Sequence, residues 1–168
     1  KPDSNTVPIP TTIAATQANT DTQALTTRSL DKALQKCASE FLDRTQPTMT
    51  AKLSQKTYPL CFNGFAVMYS GVTKTPIWVA EHLTRQRITA AKTLVREDNF
   101  HEETRLPTEV RSLLNDYTRT GFDRGHLAPN ADMATTDSQF DSFSLANIAP
   151  QTPDNNRKTW VKIETQTR

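Results

Sequence analysis

Apolar residues are sparse and without period over the first 28 positions, and the pattern changes at Ser29. Residues 1–28 are rich in Thr, Ala, Gln, Asn, Asp and Pro and contain no aromatic side chain, so they bury too little apolar surface to offset their ordering entropy. A flexible N-terminal arm is expected there, followed by a folded domain over 29–168. Leu30, Ala33, Leu34, Cys37 and Phe41 then recur at helical spacing, with Ser29 as the expected N-cap and Pro47 as a stop beyond the end. Leu60, Phe62, Phe65, Val67 and Tyr69 form an apolar run broken by Asn63-Gly64, and Ile77 to Ala80 after Pro76 reads as a second strand. The expected element is a two-stranded antiparallel ladder with Cys61 near the start of its first strand. The stretch 84–119 is mixed and charged, with a short helix predicted over Glu109–Tyr117. A strand is predicted to end at His126, another to run over 142–148, and a helix to start at Asp154 or Asn155 and continue through Trp160 and Ile163.

Composition narrows the class. The chain has 168 residues, 35% hydrophobic and 23% charged, which suits one soluble domain with or without a tail. No apolar run approaches the roughly 20 residues needed to span a bilayer, and no membrane partner is expected. A net charge of +2 is too small to announce a nucleic-acid binder, so a phosphate-bearing partner requires local patches. Cys37 and Cys61 lie in no CxxC pair and HExxH is absent, which argues against structural zinc. The two cysteines read as one disulfide in an oxidising compartment or as two buried thiols. The polar, proline-rich start Lys1 to Pro10 resembles the beginning of a mature exported protein, giving an expected location that is secreted or periplasmic.

The candidate chemistry gathers in the last fifty residues. Hydrolysis of a phosphodiester needs a base for water, positive charge against the phosphoryl oxygens and help for the leaving oxygen. Arg124 and His126 are two apart, so on a strand both side chains face one side, with Gly125 between them to let the backbone bend or a phosphate approach. Asn147, Asn156 and Glu164 supply oxygen atoms suited to a hard cation or its waters. On a regular helix Asn156 and Glu164 would stand about 12 Å apart along the axis and roughly 80° apart around it. One direct ligand with water-mediated support from the other is the arrangement that fits, and it suits Mg²⁺.

Asp123-Arg124-Gly125-His126-Leu127-Ala128-Pro129 resembles the DRGH signature of the DNA/RNA non-specific endonucleases, members of the ββα-metal nuclease superfamily. The resemblance continues through Asn147 to Gln151 and through Asn156-Arg157-Lys158-Thr159-Trp160 to Glu164. It extends upstream to Pro76 through Thr84, so it covers roughly 57–168. It implies an α+β fold with a mainly antiparallel central sheet flanked by helices. It also implies Mg-dependent cleavage of DNA and RNA with little sequence preference, giving 5′-phosphate and 3′-hydroxyl ends, with Mn²⁺ as a substitute ion. By position, His126 would be the general base, Arg124 the phosphate contact, Asn156 the metal ligand, Glu164 the group orienting the hydrated ion, and Asn147 a hydrogen-bonding organiser. Arg96 and Arg168 would hold substrate. The family pattern usually continues for several tens of residues past this helix. The expectation is therefore a fold truncated at its C-terminal end, with a clip or truncation preferred to a shortened core and a C-terminal fragment of the same protein completing the sheet.

Each residue has an ordinary reading as well. Arg124 could pair with Asp123, Glu164 could pair with Arg168 at i,i+4, Asn155 could replace Asn156 as ligand, and Glu102-Glu103 reads as a solvated charge run. Trp160 is expected to pack the helix, and His82 and His101 carry no partner pattern. The rival function is a catalytically incomplete fragment that binds nucleic acid or another protein.

Overall fold

The computed structural model describes residues 27–168, so the N-terminal arm expected from the sequence lies, up to residue 26, outside the described residues. Thr27 and Arg28 belong to strand β1 (Thr27–Ser29), which pairs antiparallel with β2 (Thr45–Pro47). Ser29 is thus a strand residue, and the following 3₁₀ segment, Lys32–Glu40, starts behind Asp31. Its Leu34, Cys37 and Ala38 are buried, as the helical spacing predicts, and Phe41 is buried just past its end.

The centre is an antiparallel meander of three strands rather than two: β3 (Thr57–Phe62), β4 (Phe65–Ser70) and β5 (Thr75–Ala80), with β4 in the middle. Asn63-Gly64 makes the first turn, where Gly64 takes φ +90°, a left-handed conformation that costs glycine little. The apolar run over 60–69 is therefore two strands folded on each other, and Cys61 sits near the end of β3. Every residue of β4 is buried, because both faces of the sheet are covered. Phe65, Val67 and Tyr69 face a core shared with Leu106, Val110, Ala128, Met133 and Ala146. Ala66 and Met68 face Leu30, Leu34, Cys37 and Phe41 on the other side. The period-2 alternation of one strand thus joins the 3₁₀ segment below to the layer above that carries the DRGH motif.

Cys37 and Cys61 form a disulfide 24 residues apart, tying the 3₁₀ segment to β3. Closing a loop of this length removes unfolded-state entropy worth roughly 3–4 kcal/mol. A Cys37→Ala/Cys61→Ala double variant is expected to lose about that much in a urea titration; unchanged stability would contradict it.

Helix α1 (Arg85–Ala91) follows β5, capped by the Thr84 hydroxyl, which accepts the Arg87 N–H at 3.1 Å. Arg87 then links four segments: it donates to Glu40, Glu81, His82 O and Asp132 O. The helix predicted over Glu109–Tyr117 resolves into two 3₁₀ turns, Thr108–Val110 and Leu114–Tyr117, split by an extended link. The strand predicted over 142–148 is not formed. Helix α2 (Thr136–Ser142) occupies its start, set by a reciprocal cap between Thr135 and Ser138, and a 3₁₀ turn (Leu145–Asn147) leads into the true strand β7 (Ile148–Gln151). All residues from 142 to 148 are buried, so alternation there carries no information about which face is inside. Strand β6 (Asp123–His126) pairs antiparallel with β7, and Pro150, which has no N–H, sits opposite Arg124 in this two-stranded ribbon. No helix among the described residues is long and apolar enough to cross a membrane.

Candidate active site

The chain after β7 is helical over 153–167. Its first turn is capped by Thr152, whose hydroxyl accepts the Asn155 N–H at 3.4 Å, so neither Asp154 nor Asn155 caps it as expected. Its first part, Asn155–Trp160, is π-helical and its second, α3 (Val161–Thr167), is α-helical. The burial pattern is regular: Asn156, Trp160, Glu164 and Arg168 are half-buried and every residue between them is exposed. In a straight α-helix a four-residue stripe drifts by about 40° per step. The wider π turn acts like one inserted residue, which brings Glu164 to within roughly 20° of Asn156 rather than about 80°. This unwinding puts the two candidate ion-binding groups on one face, and nothing in the apolar pattern announces it. Ile163 and Val161 are exposed.

That face lies along β6 and the loop after it. The Trp160 Nε1–H donates to His126 O at 3.0 Å, and Asn156 Nδ2 donates to Asp123 Oδ2 at 3.1 Å. Arg157 holds the same carboxylate with two bonds of 2.8 and 2.7 Å. Asp123 therefore pairs with Arg157 and not with Arg124, and these contacts, Arg157 foremost, hold its pKa below the usual carboxylate range. With Nδ2 engaged, Oδ1 is the atom Asn156 can offer to a cation. Arg168 pairs with the buried Asp132 at 2.9 Å, not with Glu164. Burial pushes the Glu164 carboxyl up; Arg168 and Arg96 oppose this and Asp132 reinforces it.

Arg124 and His126 do face one side of β6, and both meet Phe100: the Arg124 guanidinium lies 4.3 Å from the ring centroid and the imidazole 5.6 Å. Gly125 points the other way, where a Cβ would overlap the Gln151 side chain. Its role is close packing of the ribbon rather than a bend or a phosphate seat. The His126 ring is 8% exposed and its Nε2 has no hydrogen-bond partner, an uncommon state for a buried polar atom. Burial first, and the Arg96 charge second, push its pKa down to about 4, against a smaller opposing effect of Asp98. Arg96 stands over Phe143, 5.2 Å from the ring centroid, while bonding Asp98 at 2.6 Å. Its charge is felt by both His126 and Glu164, which places imidazole, carboxylate and guanidinium in one neighbourhood.

Asn147 does not touch this group. Fully buried, it bonds Ala128 N, Ala128 O and Ser142 O, each at 2.9 Å, and so pins the chain just after His126. Glu103 is no solvated charge: it is buried and bonded by Arg105 and Ser144, which lowers its pKa despite desolvation. His82 is exposed, and His101 stacks on Phe140 at 4.2 Å. Phe100, Phe143 and Asp132 are the site's neighbours that sequence reasoning missed; an isolated Phe in a charged stretch gives no signal.

The arrangement offers one unprotonated buried imidazole, exposed guanidinium groups, and an amide oxygen and a carboxylate on one helix face. These hard oxygen donors fit a hydrated divalent cation. Among the described residues no cluster of three or more His, Cys, Asp or Glu gathers as a metal cage.

The chain is similar to a nuclease of Nostoc sp., 39% identical over 115 residues, covering 67% of this chain and 41% of that protein. It is also similar to human mitochondrial endonuclease G, 32% identical over 123 residues, covering 73% of this chain and 39% of the human protein. A crystal structure of the EndoG/EndoGI complex superposes with a TM-score of 0.60 at 28% identity, covering 64% of this chain and 45% of that one. The chain thus spans less than half the length of these relatives. The sequence pattern of the DNA/RNA non-specific endonuclease family matches residues 43–168. On that match and the shared α+β fold, the chain belongs to the DNA/RNA non-specific endonuclease family.

Proposed function

We propose that this chain carries the catalytic centre of a magnesium-dependent nuclease that hydrolyses phosphodiester bonds in DNA and RNA with low sequence preference. The observation that carries the reading is the neutral His126 imidazole beside the Arg124 and Arg96 guanidinium groups and the oxygen-bearing helix face. The His126 imidazole takes a proton from water as that water attacks phosphorus; the P–O3′ bond breaks and the departing oxygen takes a proton from solvent water, leaving a 5′-phosphate and a 3′-hydroxyl. Arg124 faces the scissile phosphate and stabilises the charge that grows on its oxygens, while Arg96 and Arg168 hold the flanking backbone. Asn156 would bind the ion directly through Oδ1, and Glu164 would orient its waters. When bound, Mg²⁺, or Mn²⁺ in its place, supplies positive charge against the phosphate and the leaving oxygen. The Cys37–Cys61 bond supports a secreted or periplasmic location.

Incubating plasmid DNA and RNA with the protein tests this. Both polymers are expected to be degraded in Mg²⁺ and preserved in EDTA; intact polymers in Mg²⁺ would overturn the reading. A second reading, a fragment that binds nucleic acid until a C-terminal segment of the same protein completes its fold, is favoured by exposed Val161 and Ile163 and by the greater length of the relatives. It predicts binding without cleavage until that segment is added.

The lowered pKa of His126 gives a pH signature. The base stays unprotonated well below pH 6.5, so the acid limb of kcat/KM is expected below that value, between about 4 and 6. A folded pKa below the unfolded one means stability is complete above about pH 6.5 and is lost as pH falls through about 4, on the order of 3 kcal/mol for this ring. Glu81 acts oppositely. Burial first, with Asp132 and Glu40 adding to it and Arg87 opposing, raises it to about 8, so its contribution is lost as pH rises from its unfolded value toward 8. Tm is therefore expected to be highest near pH 6 and to fall on both sides. A limb above pH 7, or a Tm still rising at pH 8, would contradict these assignments.

A further inference from the structure

We propose that Phe143 is the positioning residue of this site, setting the plane of the His126 imidazole and the place of the Arg96 guanidinium together. Among the described residues the buried Nε2 of the imidazole has no hydrogen-bond partner, so no carboxylate or carbonyl holds that nitrogen as in a hydrogen-bonded catalytic dyad. Its orientation has to come from packing. Phe143 is completely buried and meets the imidazole edge-to-face, with centroids 5.0 Å apart and planes at 81°. Phe100 closes the corner, 4.9 Å from Phe143 at 83° and tilted against His126. The opposing side of the problem is the cation: Arg96 rests over the Phe143 ring, 5.2 Å from its centroid. One phenyl ring thus touches the base and the substrate-holding arginine at once.

Phe143 can serve as a reference because its own backbone is fixed. Its N–H donates to Phe140 O at 3.0 Å, closing the end of α2, and its carbonyl accepts the His101 N–H at 3.2 Å. The segment bearing Arg96 and Phe100 is thereby laced, through His101, to the segment bearing Phe143. A leucine here would keep an apolar filling but lose the flat face. The imidazole could then rock about its Cβ–Cγ bond, and the guanidinium would lose its seat. Misplacement by about 1 Å costs a base on the order of a hundredfold in rate.

The inference rests on His126 being the base, and the test separates the two. Phe143→Leu is compared in the full chain with Phe65→Leu, which truncates an equally buried phenylalanine of β4 that stacks on Phe62 instead. Both variants are expected to lose Tm. Only Phe143→Leu is expected to lose kcat on plasmid DNA, by about tenfold to a hundredfold, with KM raised through Arg96. NMR of the wild-type imidazole supplies a readout independent of catalysis and of whether the variant folds. The carbon-bound His126 ring protons are expected upfield of those of exposed His82, and to move downfield in Phe143→Leu. Equal kcat losses in the two variants, no kcat loss in Phe143→Leu, or His126 signals at solvent-exposed positions in the wild type would each overturn the proposal. Loss of the hydrolysis reading itself would show differently, as full activity of His126→Ala while the His126 ring protons of the wild type still lie upfield.

Discussion

Replacing His126 with alanine is expected to lower kcat on DNA and RNA alike by about 10²–10⁴-fold, the range general-base catalysis supplies. The size follows from the lack of a substitute. His82 is exposed and His101 stacks on Phe140 in a separate groove, so neither of the other two histidines can take the proton. Arg124 and Arg96 remain charged and keep the substrate phosphate in place, so KM is expected to change far less than kcat. The fold should survive, because the ring makes no side-chain hydrogen bond and the main-chain carbonyl that Trp160 Nε1 bonds is retained in alanine. Far-UV circular dichroism with steady-state kinetics on both polymers checks this. Activity within a few fold of the parent would remove the imidazole from the chemistry.

The second large effect is at Asn156. Asn156→Ala is expected to move the Mg²⁺ dependence of activity to much higher concentration and to lower the rate at about 1 mM Mg²⁺ by at least a hundredfold, since few protein atoms hold the ion. Asn156→Asp separates charge from geometry. A carboxylate is a better ligand for a hard cation in isolation, yet here it would face Asp123 Oδ2, to which the amide now donates at 3.1 Å. Two carboxylates at that distance repel, and the partner held by Arg157 keeps its charge. The aspartate variant is therefore expected to be impaired as well, and to improve when Asp123 is changed to Asn alongside it. Titration of activity against Mg²⁺ for the three variants tests this. An aspartate variant better than the parent would mean that the Asp123 contact does not orient the ligand.

How much of this was legible depended on whether the chemistry left a local mark. Arg124 and His126 share a face because a strand has period two, and four residues suffice to read that. The buried Cys37 was legible from apolar spacing, whereas the continuous apolar run over 60–69 concealed the strand boundary at Asn63-Gly64 and with it the third strand of the meander. Segment 142–148 misled because all of it is buried, and the Thr135/Ser138 cap that starts α2 lies upstream of the apolar residues that drew attention. The common face of Asn156 and Glu164 was hidden because it depends on a π turn, which has no residue signature. Asp132 and Phe143 act across 36 and 47 residues of chain on Arg168 and Arg96, and pairing at such separation is set by packing.

The central claim is that one helix face holds a hydrated divalent ion opposite the His126 imidazole. Diffraction from crystals grown with Mn²⁺, recorded at the manganese absorption edge, tests it most directly. The account predicts a single anomalous peak at roughly 2.0–2.2 Å from Asn156 Oδ1, with water between the ion and Glu164 and a phosphate-sized gap to the His126 imidazole. A peak bound elsewhere, or none beside Asn156 at millimolar Mn²⁺, would contradict it.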